Sequence, residues 1–275
     1  MGYKRLAILL LWLLSLALDA APPQRVVSLN LCSDQLLLML AAPHQVASVS
    51  HLAIEESSSF VAQEAAAYPL NHANLEEIIH LQPDLVLTVP YTNPRLLSSL
   101  QQLGYETYQL RLGSQLSEIT SEIARLASRL GQEAKGAAII ETMHQQIKLE
   151  LEQPQVDQPT ALFYQPRGYT SAAGTLQDEA MKLAGWRNSA TAAGLSGYVI
   201  TPIEQILHWR PQLLITSTYG EAGNSRAEQL IQHPAIGRMM NDRPRIEIPY
   251  KYWICPGPML AEAVSLLRNL REEMR

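Results

Sequence analysis

Phenylalanine, cysteine and basic charge are all scarce in this 275-residue chain, which has two Phe, two Cys, and 21 Lys and Arg against 26 Asp and Glu. Two cysteines are too few for a disulfide scaffold or a cysteine-rich zinc module. A net charge of −5 leaves no basic field to hold nucleic acid. No apolar run reaches the roughly 20 residues that a membrane-spanning helix needs, so a multi-span membrane protein is not expected. Gly-x-Gly-x-x-Gly, the phosphate loop, His-Glu-x-x-His and His-x-x-x-His do not occur, which removes the usual signatures of nucleotide and zincin chemistry. Gly194-Leu195-Ser196-Gly197-Tyr198 approaches a nucleophile elbow but ends in Tyr where the elbow needs Gly, so an exported hydrolase is not expected. With 47% apolar and 17% charged residues the composition is globular, and the length suits one large domain or two small ones with a proper core.

The first 21 residues differ from the rest. Lys4 and Arg5 precede the 13-residue run Leu6–Leu18, and Asp19-Ala20-Ala21-Pro22-Pro23 follows. A positive start, a short apolar stretch and small residues at its end read as a secretory signal peptide over 1–21, cleaved between Ala17 and Ala21. The first cysteine after the run is Cys32, well inside the mature chain, so a lipid anchor is not expected. Without the peptide the charge is −6, that of an acidic exported protein, and the periplasm would permit oxidation of Cys32 and Cys255.

Apolar runs alternate with helical periodicity through the mature chain. Strands are predicted at Arg25–Leu29, Ala47–Ser50, Asp84–Val89 and from Ala161 to Tyr164, and helices at Asp34–Ala42 and Asn74–Leu81, the last ended by Pro83. This order indicates an α/β fold with largely parallel sheets. From Leu116 to Glu152 the pattern is helical, broken near Gly131, and its second part places Gly136, Ile140, Met143, Ile147 and Leu151 on one face. A helix over 132–153 would run about 30 Å. Pro154 and Pro159 mark the break after it. The expected organisation is an N-terminal lobe over 22–131, a connecting helix over 132–153 and a C-terminal lobe over 154–275.

An internal repeat supports the division. Shifted by 128 residues, Leu75–Tyr91 lies on Ile203–Tyr219 with seven identities in 17 positions: Glu76/Glu204, Ile78/Ile206, His80/His208, Pro83/Pro211, Leu85/Leu213, Thr88/Thr216 and Tyr91/Tyr219. One helix–Pro–strand unit has been used twice, once per lobe.

The opening RVVSLNLCSDQLLLML, the NLEEIIHLQPDLVL segment, the long helix and the later PIEQILHWRPQLLI together resemble the periplasmic substrate-binding proteins of metal-chelate ABC importers, over about residues 25–275. The resemblance implies two Rossmann-like α/β lobes joined by one long rigid helix, with the ligand in the cleft between them. It implies a monomeric carrier with no catalysis and no cofactor of its own. The ligand would be an iron chelate such as a ferric siderophore, cobalamin or haem. It also implies that Glu76 and Glu204 dock onto arginines of the inner-membrane permease; without it, each would read as a helix-start glutamate favoured by the dipole.

Ligands of open α/β lobes sit at the carboxyl ends of strands, so the loops there supply the cleft candidates. They are Cys32, Ser33 and Asp34 after the first strand, Tyr91 and Tyr219 after the repeated strands, and Tyr164, Arg167 and Tyr169 at the start of the second lobe. Tyr252, Trp253 and Cys255 complete the set, with Tyr68 and His72 at the expected cleft edge. A helix-capping role also accounts for Ser33-Asp34. Eleven Tyr and four Trp against two Phe suit a large amphipathic ligand, and Arg167 suits a charged chelate. Tyr68, His72 and Tyr91 are the candidates for a haem ligand. A bond between Cys32 and Cys255 would clamp the lobes, two thiolates would suit a soft metal, and two unpaired thiols would be packing; all three readings stay open. Bare zinc or manganese would need three or four converging His, Asp or Glu ligands, and no His-rich loop is present.

Overall fold

The computed structural model of the chain describes residues 21–147, 158–217, 233–241 and 243–274. The expected signal peptide and the end of the connecting helix, 148–153, lie outside the described residues.

In the N-terminal lobe the strands are β1 (Val26–Ser28), β2 (Val46–Ser50), β3 (Leu70–Asn71), β4 (Leu85–Thr88) and β5 (Thr107–Gln109). They form a parallel sheet in the order β3-β2-β1-β4-β5. Central β1 pairs with a neighbour on each side and is wholly buried, which is why Val26 and Val27 stand together with no apolar–polar alternation. The C-terminal lobe begins with β6 (Thr160–Phe163), β7 (Tyr169–Ser171) and β8 (Arg187–Asn188), followed by β9 (Tyr198–Ile200), β10 (Leu213–Thr216) and β11 (Arg245–Glu247). Four of them make a parallel sheet, β11-β10-β6-β8, while β7 and β9 pair as a separate antiparallel ribbon.

Helix Leu31–Leu40 starts three residues earlier than its periodicity predicts. The Asn30 side chain accepts the Cys32 N–H at 2.9 Å and so caps the helix upstream of the apolar stripe. Helices Leu116–Leu130 and Glu133–Ile147 are separated at Gly131, whose φ of 67° is a left-handed end that glycine adopts without steric cost. Helix Glu133–Ile147 packs on Leu116–Leu130 of one lobe and on Leu260–Glu273 of the other. Gly136 allows the first approach, since a Cβ there would stand 2.5 Å from the Ala127 Cβ. Met143 and Ile147 are buried beneath it. One apolar core therefore runs from Val26 and Leu37 through Ile123 and Ile147 to Phe163 and Trp253.

The two copies of the repeat are alike in detail. Helices Leu75–Leu81 and Ile203–Trp209 each have seven residues, and each ends in a non-glycine residue in the left-handed region, Gln82 (φ 46°, ψ 56°) and Arg210 (φ 48°, ψ 55°). Pro83 and Pro211 follow. Asp84 then accepts the backbone N–H groups of Gln24 and Arg25, and Gln212, its counterpart 128 residues on, accepts that of Thr160. In both lobes the residue after the proline anchors the entry to the first strand. An arginine also closes each helix end: Arg25 donates to the Leu81 and Gln82 carbonyls, and Arg243 to those of Arg210 and Pro211.

Candidate functional site

The carboxyl ends of both sheets converge on a cleft whose floor is a disulfide between Cys32 and Cys255, with Cα atoms 5.2 Å apart and 223 residues between them in sequence. Of the three readings of these cysteines, the bonded pair is the one observed. Leu31, Leu52, Leu112 and Ile254 pack around the sulfurs and join the lobes by an apolar contact. A cavity of about 150 Å³ opens beside the bond, lined also by Asn30, Ser58 and Tyr91. The Tyr91 ring is 64% exposed, and its hydroxyl lies 3.9 Å from the Cys32 Sγ.

On the N-terminal side, His51 follows β2 and His72 follows β3, and their rings stack with centroids 4.8 Å apart. Glu77 holds this edge in place. It accepts the His72 backbone N–H at 2.6 Å and lies 3.2 Å from His72 Nδ1, and the His72 N–H bond above all holds its carboxyl below the usual range. Nδ1 is thus engaged, and the His72 ring is exposed. Tyr68 is half-buried and lines a neighbouring cavity of about 390 Å³ with Ile54, Glu56 and Gln63. A further cavity of about 300 Å³, sharing Glu56 and Gln63, is lined also by Phe60 of the same lobe and by Lys251 of the opposite one. There the rings of Phe60 and Tyr252 meet edge-on, centroids 5.9 Å apart, and close one side of the cleft.

The C-terminal wall is built differently. Arg167, exposed and held at φ 64°, turns the chain into the β7–β9 ribbon. Tyr169 lies across from Ile200 and Ser171 from Tyr198. Tyr169, Tyr198 and Ile200 are all exposed, the last two at 62% and 67%, and the Tyr198 hydroxyl donates to Gln177 Oε1 at 3.2 Å. Tyr198 and Ile200 are absent from the residues singled out by sequence. The repeat carries the signal for them: the 128-residue shift lays Tyr198 on Leu70 and Ile200 on His72, so both lobes present exposed side chains just before the helix that bears Glu76 or Glu204. The two glutamates are exposed in the first turns of those helices.

Four expected cleft residues lie in the interior and are withdrawn from its lining. Ser33 is fully buried, donating to the Asn30 carbonyl at 2.8 Å and accepting from Ser28 Oγ at 2.7 Å. Asp34 is fully buried as well. It accepts the Ser50 N–H at 3.0 Å and the Ser50 hydroxyl at 2.5 Å, and burial pushes its carboxyl up to about 7. Tyr164 directly follows its strand and lies inside a core cluster with Leu162, Ile206 and Leu214. Trp253 packs edge-on against Phe163 at 5.0 Å and donates its indole N–H to Ser217 Oγ at 3.2 Å. Each follows a strand, Ser33 and Asp34 already within the helix, but the chain turns it inward where apolar area is covered. Tyr219 lies outside the described residues. Among the described residues no three His, Cys, Asp or Glu side chains converge to hold a metal ion, and no helix is long and apolar enough to cross a membrane.

A model of the periplasmic binding protein family matches residues 26–240. The vitamin B12-binding protein of Vibrio vulnificus is 28% identical over 225 residues, covering 80% of this chain and 81% of that protein. The cobalamin-binding protein of Halobacterium salinarum is 23% identical over 228 residues, or 82% of this chain; the chain spans 62% of that relative's length. Among solved structures, the periplasmic haem-binding protein HutB of Vibrio cholerae superposes with a TM-score of 0.75 at 19% identity, covering 90% of this chain and 98% of that one. The periplasmic vitamin B12-binding protein BtuF of the same organism gives 0.67 at 22% identity, covering 92% and 98%. At these identities the structural likeness is one of fold.

Proposed function

The chain belongs to the periplasmic binding protein family, and from that premise we propose that it is the substrate-binding component of an ABC importer for a metal chelate or corrinoid. It captures ferric siderophore, cobalamin or haem in the cleft and delivers it to an inner-membrane permease. What supports this reading is the difference between the exposed side chains of the two lobes: an aromatic and apolar set on one ribbon, Tyr169, Tyr198 and Ile200, and a more polar set in the other lobe, Tyr91, His51 and His72. Two such sets suit a ligand with a broad apolar face and a polar or metal-bearing edge. Arg167 stands beside the ribbon for a carboxylate or phosphate of the ligand. Cobalamin comes first among the three because the relatives similar in sequence are named for it.

Glu76 and Glu204 are the permease contacts in this reading. Two exposed carboxylates on matched helices, one per lobe, present a fixed spacing that a pair of basic pockets would recognise. Residues 1–21 direct export to the periplasm, where the mature protein works as an unanchored monomer without catalysis. Its lobes are 22–131 and 154–275, with helix 132–153 between them.

A tryptophan-fluorescence titration of the mature protein tests the ligand class, using cyanocobalamin, hemin, ferric hydroxamate and catecholate siderophores, and Zn²⁺ and Mn²⁺. Saturable quenching by one chelate, corrected for its own absorbance, is the expected result. Quenching by a bare ion alone would overturn it.

A further inference from the structure

The lobes are joined covalently in two separate places, and the second join changes the motion open to them. The chain makes the first join, running from helix Glu133–Ile147 into β6. The Cys32–Cys255 bond makes the second. Helix Leu31–Leu40 shows how far apart they are. Cys32 stands at its start on the cleft floor, whereas its far end meets the connecting helix, where Lys135 Nζ donates to the Ala41 carbonyl at 3.0 Å and a Cβ on Gly136 would stand 3.8 Å from Leu40 Cδ2. Eight residues of helix separate Cys32 from Leu40, roughly 12 Å at 1.5 Å per residue.

A clamshell opening of about 10° about the connecting helix would, at that lever arm, part the two sulfurs by about 2 Å. A covalent bond does not allow it. Two bodies held at two separated points keep only the rotation about the line through both points. Here that is a twist of one lobe against the other, with the width of the cleft floor unchanged. Other contacts across the interface agree: Glu179 Oε1 accepts the Leu116 N–H at 3.1 Å, and Phe60 meets Tyr252.

We infer that Cys32 and Cys255 are positioning residues: their bond sets the width of the cleft and the separation of the lobe surfaces carrying Glu76 and Glu204, and limits lobe motion to a twist. The inference goes beyond the ligand assignment and does not depend on which chelate is carried. Reduction by a dithiol releases the constraint; the reductant's two thiols close to a disulfide, and each cysteine sulfur takes up one hydrogen.

Pulsed electron paramagnetic resonance tests this on the mature protein. Nitroxides are attached through ketone-bearing amino acids at Gln102 and His208, exposed positions in opposite lobes, so that no new thiol is introduced. The oxidised protein is expected to give one narrow distance. Dithiothreitol should broaden it with a shoulder at longer distance, and reoxidation should abolish that shoulder. The variant C32S/C255S should keep the broadened form under both conditions. Circular dichroism of the reduced wild type and the variant identifies any loss of fold, and only folded samples are compared. Identical distributions in oxidised, reduced and variant protein would overturn the inference. A failed chelate titration with an intact redox response would remove the ligand class and leave the tether standing.

Discussion

The two copies of the helix–Pro–strand unit differ least in their backbone and most in the side chains just upstream. Helices Leu75–Leu81 and Ile203–Trp209 share length, left-handed end and following proline. Four residues before Glu76 stands His72, stacked on His51; four residues before Glu204 stands Ile200, paired across the ribbon with Tyr169. On the proposed reading, a frame that presents two equivalent carboxylates has kept its geometry. If the edges face one ligand from two sides, as proposed, they have no reason to match, because the ligand's own faces differ. The comparison separates what both lobes do alike, holding a surface glutamate in place, from what each does alone.

The most severe way to disturb the comparison is to remove the bond that fixes the lobes to each other. Replacing both cysteines by serine should lower stability by about 2–5 kcal/mol, because the bond closes a very long loop in the unfolded chain. Urea denaturation of oxidised wild type against the variant measures it. Next is a term that only the N-terminal lobe contributes. Burial raises the Asp34 carboxyl from 3.8 to about 7, so the folded protein keeps a proton that the unfolded chain releases above about pH 4. Stability from this group therefore falls as pH rises from about 4 to 7 and is level above that, by on the order of 4 kcal/mol at most. Asp34→Asn should flatten this part of the profile, and denaturation at pH 5 and pH 8 is the check; an unchanged slope would reject the assignment.

The surface glutamates are the feature that the lobes share. Glu76→Ala and Glu204→Ala should each weaken docking by roughly 2–3 kcal/mol, about a hundredfold, and leave ligand affinity in the free protein as it was. Binding to the permease in lipid nanodiscs, beside the chelate titration, distinguishes the two effects. A docking loss from only one of them would mean that the repeat is conformational and not functional. Conversely, Tyr198→Ser with Ile200→Ser should reduce ligand affinity by about 1–3 kcal/mol through lost apolar contact and spare docking. The smallest effect should be equal in both lobes. Gln82→Gly and Arg210→Gly relieve a left-handed residue worth about 1–2 kcal/mol and lose about 0.5–1 to chain entropy, a net gain of about 0.5 kcal/mol each in thermal unfolding.

Much of the frame was legible in the chain itself. The repeat located both surface glutamates, the prolines that end their helices and the strands behind them, because helix, proline break and buried parallel strand are each written in a few adjacent residues. The break at Gly131 was legible for the same reason. The cleft was legible only as a set of loops. Cys32 and Tyr91 line one cavity and Arg167 and Tyr169 are exposed, but Ser33, Asp34, Tyr164 and Trp253, which also follow strands, turn inward. A position after a strand says where a residue is, whereas the neighbouring elements decide which way it faces.

Local pattern determined the α/β order and the two-fold use of one unit, since these depend on periods of two to four residues and on breaks between them. Tertiary structure decided the rest: that the two cysteines form one bond, that a carboxylate in the first turn of a helix is sealed from water, and that Tyr198 and Ile200 stand on an open ribbon. Each of these is set by segments that meet only after the chain has returned on itself, for the disulfide across 223 residues. Contact and burial at such separations are properties of the packed whole, and no short stretch of sequence contains them.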